Sequence, residues 1–237
     1  MSQAAARPGP PGVGVHSEVG RLRRVLVCAP GLAHRRLTPD TSADLLFDEV
    51  LWVDKAQRDH ADFVAKMRAE DVEVLDLRDL LAEVLDQPEA RRWLLERKVS
   101  DDLVGPGLAD EVRPWLASLA SADLAERLLG GVAVGEVPAA VGGSYTRALA
   151  DLAPQPRFVV RPLPNTLFMR DSSAWIGDGV ALGPMHFAAR HEETLLVTAV
   201  YRFHPGLGDG RMPVWLGDLG GIPLDRGEVT LEGGDVM

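Results

Sequence analysis

Short β-branched runs lie at both ends of this chain, while the stretch from about Leu80 to Ala150 has few of them. RRVLVCAPG (23–31) is one such run, closed by Pro30 and Gly31, and it reads as a buried strand entering a turn. HRRLTPDTSADLLFDE (34–49) is polar and predicts an irregular loop. Beyond it, Val53, Ala56, His60, Phe63, Val64 and Met67 recur at three- and four-residue steps, the spacing of one helix face. VEVLDL (72–77) supplies the next strand. The Ala/Leu-rich middle, broken by Pro88, Gly105, Pro106 and Gly130, predicts a set of short helices.

Strand patterns return at RFVVRPL (157–163). SAWIGDGVALG (173–183) reads as a hairpin with Gly177, Asp178 and Gly179 at its turn. FAARHEETLLVTAVYRF (187–203) predicts a helix with Ala189, Leu196 and Val200 facing inward. MPVWLGD (212–218) and EVTLEGGD (228–235) predict further strands. The outer parts therefore alternate strand pairs with one helix, a ββαβ rhythm that is complete once after residue 157. No glycine-rich phosphate loop follows any strand, which argues against a nucleotide-binding fold.

Composition excludes several function classes. A formal net charge of −10 is the wrong sign for a general nucleic-acid binder, which needs a basic face, so no nucleic-acid partner is expected. The same charge suits a small cationic ligand. Cys28 is the single cysteine, so neither an internal disulfide nor a cysteine-based zinc site can form. It sits inside a strand run and reads as a small core hydrophobe rather than a nucleophile. MSQAAARPGPPGVGV (1–15) lacks the apolar core of a signal peptide and reads as a flexible tail. No apolar run approaches membrane-spanning length, so a cytoplasmic protein without a membrane partner is the expectation.

The chemistry-bearing residues cluster in two places. LPNTLFMRDSSAW (163–175) sets Asn165 and Asp171 on either side of Leu167 and Phe168, at the mouth of a predicted strand. Taken singly, each of these polar residues also fits an ordinary turn. LEGGD (231–235) flanks two glycines with Glu232 and Asp235, which fits either a solvated bulge or carboxylates aimed into a cleft. Arg190 opens a helix-like segment. His186 and His191 stand five residues apart beside Glu192, a spacing that does not align two ligands on one helical face, so no metal site is expected.

SEVGRLRRVLVCAPG, LTPDTSADLLFDEVLWVDKAQRDH, LPNTLFMRDSS, AARHEETLLV and LEGGD occur in this order. In these segments the chain resembles the arginine deiminases of the guanidino-group-modifying (pentein) superfamily. FDEVLWVDKAQ and the helical middle favour that family over dimethylarginine hydrolases and agmatine deiminases. The resemblance implies an α/β fold, a pentein-type propeller of ββαβ blades carrying a helical insertion domain. It divides the chain into a tail (1–15), a first blade (16–80), the insertion (81–150), and a second blade with the start of a third (151–237).

The resemblance also implies roles. Asp171 would grip a substrate guanidinium and Glu232 would be an active-site acid. Asn165 and Arg190 would hold the amino-acid end of the substrate, Phe168 would wall its stem, and Leu46 would add backbone contacts. The implied reaction is hydrolysis of L-arginine to L-citrulline and ammonia, with no metal or organic cofactor. The catalytic histidine and cysteine belong to a later part of the family pattern, so the expectation is an N-terminal portion that is inactive alone. The alternative is an arginine-binding or regulatory protein without the chemistry. Open strand edges in a partial propeller would favour pairing with another chain, including a homo-oligomer.

Overall fold

A computed structural model of the chain describes residues 13–105, 107–141, 143, 158–207, 212–220 and 229–236. Most of the expected tail, the end of the helical middle from 144 to 150, the stretch 151–157 with which the next unit opens, and Glu228 lie outside the described residues.

The first unit is a parallel crossover. β1 (Arg24–Val27) pairs in register with β2 (Glu73–Asp76), Arg24 opposite Glu73 and Val27 opposite Asp76. Between them lie α1 (Leu32–Arg35), a 3₁₀ turn at Ala43–Leu45, and α2 (Val53–Ala69). The apolar face expected of α2 is only partly covered: Val53 and Val64 are buried, but Phe63 is exposed.

β2 runs directly into α3 (Leu77–Leu85). Asp76 makes that junction abrupt by capping the helix, its carboxylate accepting from Arg78 N at 2.8 Å and from Ala29 N at 3.3 Å. Four further helices follow: α4 (Pro88–Lys98), α5 (Asp101–Val104), α6 (Leu108–Ser118) and α7 (Ser121–Gly130). Pro88 opens α4 at a position where its missing N–H costs nothing. Arg91 ties the helices together by donating to Leu85 O, Ala117 O and Leu119 O. A short antiparallel pair, β3 (Val132–Ala133) with β4 (Phe158–Val160), closes this part.

The second half holds a three-stranded sheet. α8 (Met169–Ser172) leads into β5 (Ser173–Ile176), which pairs antiparallel with β6 (Gly179–Leu182). The loop is only Gly177–Asp178, because Gly179 already pairs with Ile176. Gly177 takes φ +58°, a conformation that suits glycine at the first position of a two-residue hairpin loop. α9 (Glu193–Phe203) then crosses to β7 (Val214–Leu216), which lies parallel to β6. This segment is the expected ββαβ unit. The whole is a mixed α/β structure of small sheets, and none closes into a barrel among the described residues.

Two expectations change. The helix expected from Phe187 begins only at Glu193, after a 3₁₀ turn at Ala188–Arg190. EVTLEGGD forms no strand among its described residues. Leu231 N reaches Pro184 O at 3.1 Å, and the chain then turns at Gly233–Asp235, with Asp235 accepting from Glu232 N at 3.1 Å. A glycine pair followed by an aspartate favours that local turn over continued pairing.

One apolar cluster joins both halves, running from Cys28 and Leu81 through Leu128 to Leu182, Leu196 and Val200. Leu81 is fully buried within it and Phe63 is not. Leu81→Ala is expected to lower unfolding stability by about 2–5 kcal/mol, against about 0.5 kcal/mol or less for Phe63→Ala, measured by urea unfolding.

Candidate functional site

α9 is packed against α3, α4 and α8, and every residue from Glu193 to Tyr201 is buried. A helix without a solvent face must satisfy its polar groups inside the protein. Thr194 Oγ1 donates to Gly183 O at 2.8 Å, and Thr198 Oγ1 to Thr194 O at 2.6 Å. Tyr201 shares its hydroxyl with Ser173 Oγ at 2.9 Å and takes Trp175 Nε1 at 3.2 Å. The charged groups at the start of the helix are paired in the same way, and they form the site.

Arg190 is its hub. Its Nη1 donates to Asp171 Oδ2 at 2.9 Å, its Nη2 to Glu193 Oε2 at 2.9 Å, and its Nε to both Glu193 oxygens at 3.2 Å. A further Nη2 contact reaches Asn165 O at 3.3 Å, and the guanidinium carbon lies 6.0 Å from the centre of the Phe168 ring. Asn165 is itself anchored, donating Nδ2 to Leu45 O at 2.7 Å. That bond fixes the turn in which Leu46 adopts φ +61°. Asn165, Phe168, Asp171 and Arg190 thus meet around one guanidinium, and Leu46 adjoins them through the Leu45 carbonyl.

Glu232 approaches by a separate route. Its Oε1 accepts from His186 N at 3.2 Å. Two glycines bring its segment close. A Cβ on Gly183 would run into both Asp171 O and Leu231 O, and one on Gly233 would strike the Arg170 backbone. Arg170 adds a clamp, donating to Gly233 O at 3.0 Å and pairing with Glu18 at 2.9 and 3.1 Å.

The site therefore sets the carboxylates of Asp171 and Glu193 on the guanidinium of Arg190, with Glu232 near enough for its charge to act on Glu193. Burial works against the Arg190 charge, but Glu193 and Asp171 outweigh it and hold the group protonated. Glu193 carries the cost. Burial pushes its carboxyl up to about 7, Arg190 offsets part of that, and the charges of Asp171 and Glu232 add to it.

Glu193 is not among the residues that the sequence singles out. Its signal was available as two adjacent acids, Glu192 and Glu193, opening an otherwise apolar helix. The sequence reading also sets Asp171 and Arg190 at opposite ends of a ligand, whereas the structure ties them to each other. Asp171 keeps 24% of its side chain exposed, so its carboxylate still faces outward. Among the described residues, no group of three or more His, Cys, Asp and Glu could hold a metal ion. Glu192 is instead paired with Lys98 Nζ at 2.7 Å. Cys28 lies in the core cluster, and burial, reinforced by Asp76, raises its thiol to about 12.

Glu193 makes stability depend on pH. The folded protein keeps this proton up to about 7, while the unfolded chain releases it near the ordinary value of 4.5. The folded state binds more protons across that window, so this contribution is full below 4.5 and is lost as pH rises through 7. One proton gives a slope of at most about 1.4 kcal/mol per pH unit. Urea unfolding at a series of pH values is expected to show this decline, and Glu193→Gln to flatten it.

A family model described as arginine deiminase matches residues 43–237, which takes in every site residue named above except Glu18. No helix among the described residues is long and apolar enough to cross a membrane. With most of its length matched to that family, and with carboxylates converging on a guanidinium in the matched region, the chain belongs to the arginine deiminase family.

Proposed function

We propose that this chain recognises L-arginine for hydrolysis to L-citrulline and ammonia, and that Asp171 and Glu232 supply the acceptors for the substrate guanidinium. The observation that carries this reading is the chain's own Arg190. A planar guanidinium already sits on Asp171, Glu193 and the Asn165 carbonyl. Carboxylate oxygens that satisfy one guanidinium are suited in charge and geometry to a second one. The Asp171 and Glu232 charges both act unfavourably on Glu193, so a cationic ligand also relieves repulsion.

In this reading Arg190 and Asn165 take the α-carboxylate and α-amino end of the substrate, Phe168 lines its aliphatic stem, and Leu46 contributes backbone contacts. The β5–β6–α9–β7 unit is one blade of a pentein-type propeller, 16–80 forms another, and 81–150 is a helical insertion. The reaction adds water to arginine and releases ammonia. By family resemblance, a thiolate attacks the guanidinium carbon, a histidine protonates the departing ammonia, and water resolves the covalent intermediate. Cys28 is the only thiol in these 237 residues, and it is buried and protonated. The chain by itself therefore binds arginine without turning it over.

Calorimetric binding and citrulline assays test both parts. Asp171→Asn is expected to weaken arginine binding by up to about 1.5–3 kcal/mol, the contribution of a charge-assisted hydrogen bond, and also to lower the melting temperature because buried Arg190 loses a partner. Unchanged affinity in that variant would remove Asp171 from the role. The purified chain is expected to form no citrulline. Turnover that disappears in Cys28→Ser would overturn the assignment of that cysteine to the core.

A further inference from the structure

Arg170 stands beside Asp171 in α8, and its side chain is half-exposed, yet most of its guanidinium donors are engaged. Nε donates to Gly233 O at 3.0 Å and Nη2 to Val236 O at 2.5 Å, one carbonyl at each end of the turn that follows Glu232. Nη1 and Nη2 also form a fork on the Glu18 carboxylate, at 3.1 and 2.9 Å. Glu18 comes from an N-terminal segment that is fastened to the β5–β6 turn. Val15 and Gly177 exchange backbone hydrogen bonds at 2.9 and 2.7 Å, and His16 Nε2 lies 3.1 Å from Asp178 Oδ1. An exposed ion pair adds little to stability, but a bidentate one fixes the plane of the guanidinium. Such directed bonding on an exposed side chain points to placement.

What Arg170 places is the segment that carries Glu232. Before Gly233 that segment is tied to the chain following β6, by Leu231 N to Pro184 O and by His186 N to the Glu232 carboxylate. From Gly233 to Val236, its hydrogen bonds to distant residues come from Arg170 alone among the described residues. The missing side chains at 183 and 233 permit the approach to α8, but a glycine has nothing with which to hold it. Glu232 is in turn close enough to Glu193 for its charge to act there. We propose that Arg170 is a positioning residue: it holds Glu232 at the Arg190 cluster, and Glu18 locks it in that orientation. The N-terminal segment thereby reaches the site through one guanidinium, although Glu18 lies outside residues 43–237 matched by the family model. The consequence for ligands rests on the reading above, in which Glu232 accepts the substrate guanidinium. Loss of Arg170 then weakens L-arginine and agmatine alike, since both carry that group.

The test uses the full chain and follows the Glu193 carboxyl by carbon-13 NMR over a pH series without ligand, the signal being assigned by its loss in Glu193→Gln. The Glu232 charge raises Glu193, so a Glu232 that swings away lets the Glu193 midpoint fall. Loss of the Arg170 cation by itself would move the midpoint the other way, so a fall reports Glu232. Arg170→Met is expected to lower the midpoint, a loss of roughly threefold in proton affinity, and Glu18→Ala to give a smaller fall. Neither lowers it further in a Glu232→Gln background, where no charge is left to move. Calorimetry of Arg170→Met is expected to show L-arginine and agmatine both about tenfold weaker. A folded Arg170→Met with an unchanged or raised midpoint overturns the proposal, and so does a fall that persists in the Glu232→Gln background. If Arg170→Met does not fold, Glu18→Ala decides by the same two criteria. An unchanged Glu18→Ala beside a lowered Arg170→Met overturns the lock assigned to Glu18. A wild-type chain that binds neither ligand removes the substrate reading, while the Glu193 titration still decides the role of Arg170.

Discussion

Complete burial of α9 shapes the rest of this structure. A helix with one wet side can send its charges into solvent, but α9 meets protein on every side of its first nine residues. Each polar group must find an internal partner, and apart from Thr198, which bonds the helix's own backbone, the partners come from different places. Thr194 reaches the end of β6, Tyr201 reaches β5, Glu192 reaches α4, and Glu193 reaches the turn before the helix. Satisfying these groups lays the sheet along α9 and brings the helical segment and the Asp171 turn to its N-terminal end. The Arg190 cluster is formed by the same requirement.

Two glycines make the second half of the gathering possible. Backbone atoms of Asp171, Arg170 and Leu231 occupy the space that side chains at 183 and 233 would need. The segment carrying Glu232 can therefore lie against the one carrying Asp171 without a strand ladder between them. Hydrogen bonding there is sparse, one backbone bond to Pro184, the His186 N–H to Glu232 and the Arg170 contacts, so proximity depends on the absence of side chains more than on pairing.

Much of this was legible in the sequence, for physical reasons. The β5–β6 hairpin announces itself because Gly177 must supply a positive φ, and α2 because its apolar residues keep helical spacing. Asn165, Phe168, Asp171 and Arg190, named through motifs shared with a known family, do meet around one guanidinium. What stayed hidden depended on burial that no periodicity records. Being enclosed all round, α9 shows no contrast between faces, so Glu193 and Glu192 look like ordinary helix-opening acids. Phe63 sits on the apolar face of α2 by spacing and yet is exposed. EVTLEGGD has strand composition but follows its glycines into a turn. The contact between Arg190 and Asp171 was also out of reach, because a sequence does not say which cation an acid holds before a ligand arrives.

On the reading proposed above, that last contact makes ligand entry at Asp171 an exchange rather than an addition. An incoming guanidinium either shares the carboxylate with Arg190 or displaces it, and the net gain is the difference between two similar bonds. Simple guanidinium salts belong to the same competition. If Asp171 takes a guanidinium ligand, such salts compete there at concentrations below those that unfold the chain, and guanidinium and urea, alike as denaturants, then perturb this site differently.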